Sequence, residues 1–226
     1  MNHICGNHPS CRPPSRNPSR VFDIIDRYGP NPNPYIIERP TNNNDPRYMT
    51  VLACADGHPC PYCFNFYVHL DEIIIAVDGA CRFNGRNDTI PRSSFGVFVA
   101  KHSPYNSFGK LPDVYTNQVA ELQARLRGLW VARQITYEKF GGDLATVVIK
   151  ADSEYLVKGM TDWILKWRRN GWKTASGKDV VNRRHFEQLL SEVEKLESMG
   201  VKVLFWHVRR EFNADADHLA NLALDT

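Results

Sequence analysis

Apolar positions along this 226-residue chain change their period several times, and each change marks a new element. From about residue 70 the run "EIIIAVDG" is β-branched and ends in Asp-Gly, which predicts a buried strand with a turn at its C-terminal end. "SSFGVFVAKH" predicts a second strand, and residues 103–115 a short third strand with a loop. In "TNQVAELQARLRGLWVARQITYEKF", Val119, Leu122, Leu126 and Leu129 recur at helical spacing, and Gly141-Gly142 end the helix. "ATVVIKAD" returns to a strand and "SEYLVKGMTDWILKW" to a helix. "HFEQLLSEVEKLESMG" is an amphipathic helix stopped by Gly200, "VKVLFWHV" a further strand and "ADADHLANLAL" a closing helix. That order predicts one α/β domain, a mixed sheet with helices on its faces.

The first fifty residues follow no such rhythm. "RPPSRNPSR" and "YGPNPNPYIIERPTNNNDPR" are rich in Pro, Asn and Arg. Proline removes backbone donors and asparagine favours turns, so this stretch reads as a tail or extended wrapping segment and not as core. Its apolar pieces, "VFDIID" and "YMTVLAC", are expected to dock on the main domain. The chain therefore divides into an N-terminal extension, 1–70, and a domain over 71–226. Six cysteines fall early in the sequence, and without a secretory signal they do not read as a disulfide framework. "CADGHPCPYC" offers Cys54, His58, Cys60 and Cys63 as soft ligands. A structural zinc needs four ligands in tetrahedral array, to which Cys5, His8 or Cys11 would contribute; the alternative is a packed extension whose cysteines hold no metal.

Net charge is +3 and the pI about 8.5, too mild a balance to establish a nucleic-acid partner. Clustering says more. Residues 162–186, "DWILKWRRNGWKTASGKDVVNRRHF", set Trp163, Trp167 and Trp172 among Lys166, Arg168, Arg169, Lys173, Lys178, Arg183 and Arg184. Cations neutralise phosphates and flat aromatic faces suit sugars or bases, so the run fits a nucleic-acid strand. The alternative is a solvated helix with its tryptophans turned inward. No apolar run is long enough to span a bilayer. A nuclear or cytoplasmic location is expected, and the acid-free, Arg- and Ser-containing N-terminus adds a mitochondrial alternative.

Asp78 and Asp152 each stand at or just past the C-terminal end of a hydrophobic strand, the edge where ligands of open α/β sheets collect. Glu121 lies one turn into the first long helix and Asp217 near the start of the last. Taken singly, each acid has a local explanation as a turn or helix-terminus residue. Their contexts, "AVDGACRFNG", "TNQVAELQA", "IKADSEYLVKGMTDW" and "NADADHLANLA", follow the order, spacing and setting of the type 1 ribonuclease H family. "GWKTASGKDVVN" resembles the basic protrusion, or handle region, of its cellular members. The resemblance covers residues 72–225.

That resemblance implies a ribonuclease H-like fold, with a five-stranded mixed sheet and helices on both faces. It implies an endonuclease that hydrolyses the RNA strand of RNA–DNA hybrids, leaving 5′-phosphate and 3′-hydroxyl ends. Two Mg2+ ions, for which Mn2+ substitutes in relatives, would be held by Asp78, Glu121, Asp152 and Asp217. The residue types agree, since hard divalent cations take oxygen ligands. Two such ions about 4 Å apart can activate an attacking water and stabilise the leaving oxygen. By the same resemblance Asn84, Asn117 and Gln118 would contact the hybrid in its minor groove, where the 2′-hydroxyl separates RNA from DNA. Trp163 and Trp167 would pack on the DNA strand, whereas Trp172 reads better as a core anchor. Thr116 and Asn182 would hold a DNA phosphate. The chain departs from the family at Val114, where relatives usually carry arginine in the phosphate pocket, and at Ala175, where they carry a serine. The loop "WHVRREFNADAD" is also short. His207 is thus either the family's mobile catalytic histidine or a strand-end residue. In the second case Arg209, Arg210 or Glu211 occupies the catalytic loop. A monomer is expected. The competing reading is a catalytically weak hybrid- or double-strand-binding protein.

Overall fold

The computed structural model describes residues 20–30, 32–41, 48–54, 68–83, 85, 89–113, 116–140 and 143–226. Its centre is β3 (Val68–Arg82), a fifteen-residue strand. Its continuous apolar run reflects burial on both faces, the usual signature of a central strand. The antiparallel strands β4 (Arg92–Phe98) and β5 (Ser107–Leu111) extend the sheet on one side of it. The parallel strands β6 (Thr146–Ala151) and β7 (Lys202–His207) extend it on the other. These are the five strands expected from the sequence.

Two further strands come from the extension, so among the described residues the sheet has seven strands and not the expected five. β1 (Glu38–Pro40) pairs with β2 (Thr50–Ala53), and β2 pairs antiparallel with the first half of β3. β2 lies end to end with β4 along one edge of β3, where Thr50 N–H donates to the Val99 carbonyl at 3.0 Å.

The side-chain period of two sorts the strands into two cores. Ile73, Ile75, Val77, Val147, Ile149, Val203 and Phe205 point to one face and meet α3 (Asn117–Ile135) and α6 (Arg183–Ser198). Ile74, Val148, Leu204 and Trp206 point to the other. There α7 (Ala214–Asp225) covers β4 and β5, while the N-terminal segment covers β6 and β7. Phe22 packs edge-on against Trp206 at 5.3 Å, with Ile37 and Leu52 beside them. The reading of this segment as outside the core is therefore corrected, while the docking expected of its apolar pieces is what the structure shows: Phe22, Ile37, Met49, Val51 and Leu52 are core residues. Phe22, Ile37 and Leu52, set among prolines and asparagines, fill a sheet face that no other helix covers among the described residues, while Met49 and Val51 join the core on the opposite face. α1 (Ile24–Tyr28) and α2 (Pro34–Ile37) connect them. Among the described residues, ion pairs tie the segment down: Arg20 to Glu197 through two bonds of 2.9 Å, Arg27 to Glu72, and Lys150 to Glu38 at 2.6 and 2.7 Å.

Between β6 and α6 the chain runs through α4 (Glu154–Lys158), a π-helical turn (Gly159–Trp163) and α5 (Ile164–Arg169), then a basic loop. A 3-10 turn (Arg210–Phe212) joins β7 to α7.

Candidate active site

The sheet register brings the first two acids together. β3 and β6 run parallel, and their pairing ends at Ala76 opposite Lys150. Two residues further along each strand, Asp78 and Asp152 stand side by side at the C-terminal edge. Glycines let both neighbouring helices close on that point. A Cβ on Gly79 would lie 2.3 Å from the backbone of Ala120 and Glu121, so α3 rests directly on β3 and delivers Glu121. Gly96, opposite Asp78 in the ladder, leaves the same room for α7; a Cβ there would fall 2.3 Å from the Ala216 carbonyl. Asn213 fixes the start of α7 by donating from Nδ2 to the Val77 carbonyl at 3.0 Å.

Asp78, Glu121 and Asp152 each present one carboxylate oxygen within 4.8 Å of the others. They line a cleft of about 420 Å³ that also holds Asn117, Ser153, Arg210, Asp217 and Asn221. Asp78 is 5% exposed and Glu121 7%. Burial pushes Asp78 up to about 8, and the charges of Glu121, Asp152 and Asp217 push the same way. Burial raises Glu121 as well, opposed by the guanidinium of Arg125. The Oδ1 atom of Asp152 is buried without a hydrogen-bond partner among the described residues. Three crowded carboxylates, one orphaned oxygen and an all-oxygen donor set fit a hard divalent cation. Asp217 faces the same cleft but stands outside that set, with Oδ1 accepting from Arg210 Nη2 at 2.7 Å.

The other expected residues divide. Asn117 lines the cleft, and Gln118 is exposed beside it. Thr116 caps α3, its Oγ1 accepting from Val119 N–H at 3.2 Å. Asn182 is half-buried with φ +63° at the start of α6. Trp167 corrects the expectation of a paired DNA-facing surface: it is 7% exposed, stacked on Trp172 at 6.0 Å and edge-on to Phe186 at 5.0 Å. Both of those partners are themselves buried, so the ring is enclosed in the core. Trp163 is half-buried, against Tyr155 and Trp167, and keeps part of its surface open. Trp172 is buried, as expected of a core anchor.

His207 is the last residue of β7, paired with Ala151, and its Nε2 lies 3.2 Å from the Asp152 carbonyl. It does not line the cleft, whereas Arg210 does. Asn84 and Val114 lie outside the described residues. So do Cys5, His8, Cys11, His58, Cys60 and Cys63; Cys54 is buried at the end of β2. Sequence reasoning missed Ser153, Asn221 and Arg125. For Arg125 a signal existed: it stands four residues after Glu121 on the stripe of Leu122, Leu126 and Leu129.

Residues 71–225 match the family model for RNase H. Ribonuclease H1 of Homo sapiens is 33% identical over 154 residues, 66% of this chain and 49% of that protein. Ribonuclease H of Clostridium botulinum is 29% identical over 157 residues, 69% of this chain and 97% of that protein. The chain thus spans about half the length of the mammalian relatives it matches. A foamy viral protease-reverse transcriptase solved with double-stranded DNA shares the fold, with a TM-score of 0.50 and 21% identity over 66% of this chain and 92% of that one. On the match of sequence over the whole catalytic fold, the chain belongs to the type 1 ribonuclease H family.

Proposed function

We infer that this protein is a divalent-metal-dependent endoribonuclease that cuts the RNA strand of RNA–DNA hybrids and leaves 5′-phosphate and 3′-hydroxyl ends. The observation that carries the reading is the convergence of Asp78, Glu121 and Asp152 from three elements onto one point of the cleft. A phosphodiester is an anion, and binding alone gives no reason to set three acids where it must approach.

Magnesium, or manganese in its place, would be held by Asp78, Glu121 and Asp152, with Asp217 joining, and would supply an activated water and charge stabilisation at the scissile phosphate. The protein's own residues do the remaining tasks. Asp78 gives up its proton on loading, since its raised value keeps it protonated at neutral pH in the bare site. Asn117, at the lip of the cleft, is placed to donate and accept at a ribose 2′-hydroxyl. Trp163 offers an apolar face to the DNA strand, and the exposed Lys166, Arg169, Lys178 and Arg184 draw its phosphates. The protein acts as a monomer in this reading.

A second reading, hybrid binding with weak catalysis, draws on one observation: Arg210 already occupies Asp217. One comparison separates the two. Labelled RNA–DNA hybrid, double-stranded RNA and double-stranded DNA are incubated with magnesium and then with chelator. Cleavage confined to the RNA of the hybrid and lost with chelator is expected; tight hybrid binding with no cleavage would favour the second reading.

A further inference from the structure

Arg125 follows Glu121 by one turn of α3, and its side chain is fully buried, 0% exposed. It stands where an amphipathic helix places apolar residues, in line with Leu122 and Leu129. Nη1 donates to Glu121 Oε2 at 2.8 Å and to the Glu121 carbonyl at 3.0 Å. Nε and Nη2 are buried too and, among the described residues, meet no hydrogen-bond partner. A guanidinium does not shed its proton inside a protein, so this is a permanent charge with two stranded donors. Packing does not explain it. Leucine or methionine would fill the space without leaving donors unsatisfied. What an arginine adds here is positive charge next to crowded carboxylates, and it counters the effect of burial on both Glu121 and Asp78.

We propose that Arg125 is a positioning residue of the carboxylate cluster, a built-in counter-cation that holds Glu121 and supplies part of the positive charge the three acids need to sit together. Two consequences follow from its being covalently fixed. The cluster is assembled before any divalent ion arrives. An arriving ion also meets a resident positive charge that solvent does not screen, and so binds less tightly than it would to the acids alone. Arg210 differs on this point, because its side chain is 76% exposed and its charge is screened by water.

The test uses the full chain, with magnesium alone as the probe, and compares the native protein with Arg125→Met and Arg125→Lys. Calorimetric titration should show magnesium binding roughly tenfold tighter in Arg125→Met. That variant should also gain more in Tm from magnesium than the native protein does. Arg125→Lys keeps the charge and should stay near native values. Unchanged or weaker magnesium binding by Arg125→Met would overturn the proposal, the first pointing to packing and the second to a purely orienting role. If Arg125→Met does not fold, Glu121→Gln and Asp78→Asn are compared in chelator. Glu121→Gln strands a buried cation and should lower Tm by about 5 °C or more, while Asp78→Asn relieves repulsion and should raise it. A rise in both would show that Arg125 is no counter-cation. The proposal rests on the reading of the cluster as a magnesium site. A native protein that binds no magnesium would defeat that reading, and the comparison in chelator would still decide the part played by Arg125.

Discussion

Arg210 and Asp217 form an ion pair of 2.7 Å across the mouth of the cleft, joining the 3-10 turn after β7 to the first turns of α7. The pair puts a cation on Asp217, the carboxylate that lines the cleft but stands outside the three-oxygen cluster. It also leaves His207 behind at the strand end, held against the Asp152 carbonyl. In the proposed function, magnesium would compete with Arg210 for Asp217. Because the guanidinium is largely exposed, that competition is modest. Arg210→Ala should lower the magnesium concentration for half-maximal cleavage by about threefold and raise KM for hybrid by a similar factor, as a phosphate-facing cation is lost. Kinetics at varied magnesium check this; His207→Ala should change neither value by as much.

The raised value of Asp78 makes a pH prediction. The folded, metal-free protein holds that proton up to about 8, while the unfolded chain releases it near the ordinary value of 3.8. Between these limits the folded state binds the extra proton, so stability falls as pH rises and levels off above the upper limit. Asp78→Asn removes this component. In chelator, its stability relative to the native protein should grow by up to about 1.4 kcal/mol per pH unit across that window. Denaturant titrations at several pH values measure the slope. If magnesium binds as proposed it would displace the proton, and it should then flatten the slope in the native protein.

The two tryptophans once expected to act together should separate. Trp167→Ala removes a ring held in the core and should cost about 3–5 kcal/mol of stability. Trp163→Ala should cost less and act mainly through KM, raised by about threefold to tenfold, since stacking on a sugar or base contributes roughly 1 kcal/mol. Thermal unfolding beside steady-state kinetics distinguishes them. Equal effects of both on KM at equal stability would restore the shared surface.

The N-terminal segment should behave as part of the fold. Phe22 is 5% exposed against Trp206, and Phe22→Ala should lower stability by about 3 kcal/mol while leaving KM for hybrid unchanged. A loss under about 1 kcal/mol would mean that the segment merely rests on the sheet. Chemical denaturation reads the difference directly.

Much of this was legible in the sequence because it follows from period and punctuation. "EIIIAVDG", "ATVVIKAD" and "VKVLFWHV" carry the β-branched runs of buried strands, and Asp78 and Asp152 stand at the ends of the first two runs by the same count that sets the parallel register. Other features depend on tertiary context. Phe22 and Leu52 sit in short apolar pieces amid proline and asparagine, and only the bare face of β6 and β7 gives them a core to enter. Trp163 and Trp167, four residues apart, have the same local sequence character; which one is enclosed is decided by Phe186 of α6 and by Trp172 beyond a backbone turn with φ +64°. Arg125 was visible as a cation on an apolar stripe, yet its charge acquires meaning only once Gly79 brings α3 onto β3 and the acids converge.

The most direct test of the central claim is the cleavage of labelled RNA–DNA hybrid by Asp78→Asn, with hybrid affinity measured on the same preparation. The substitution keeps the side-chain size and removes one of three converging carboxylates. Cleavage should fall by about a thousandfold or more, while binding stays within about threefold of the native value. Native-like turnover by that variant would contradict the account, because hydrolysis would then be taking place without the carboxylate on which Glu121 and Asp152 converge.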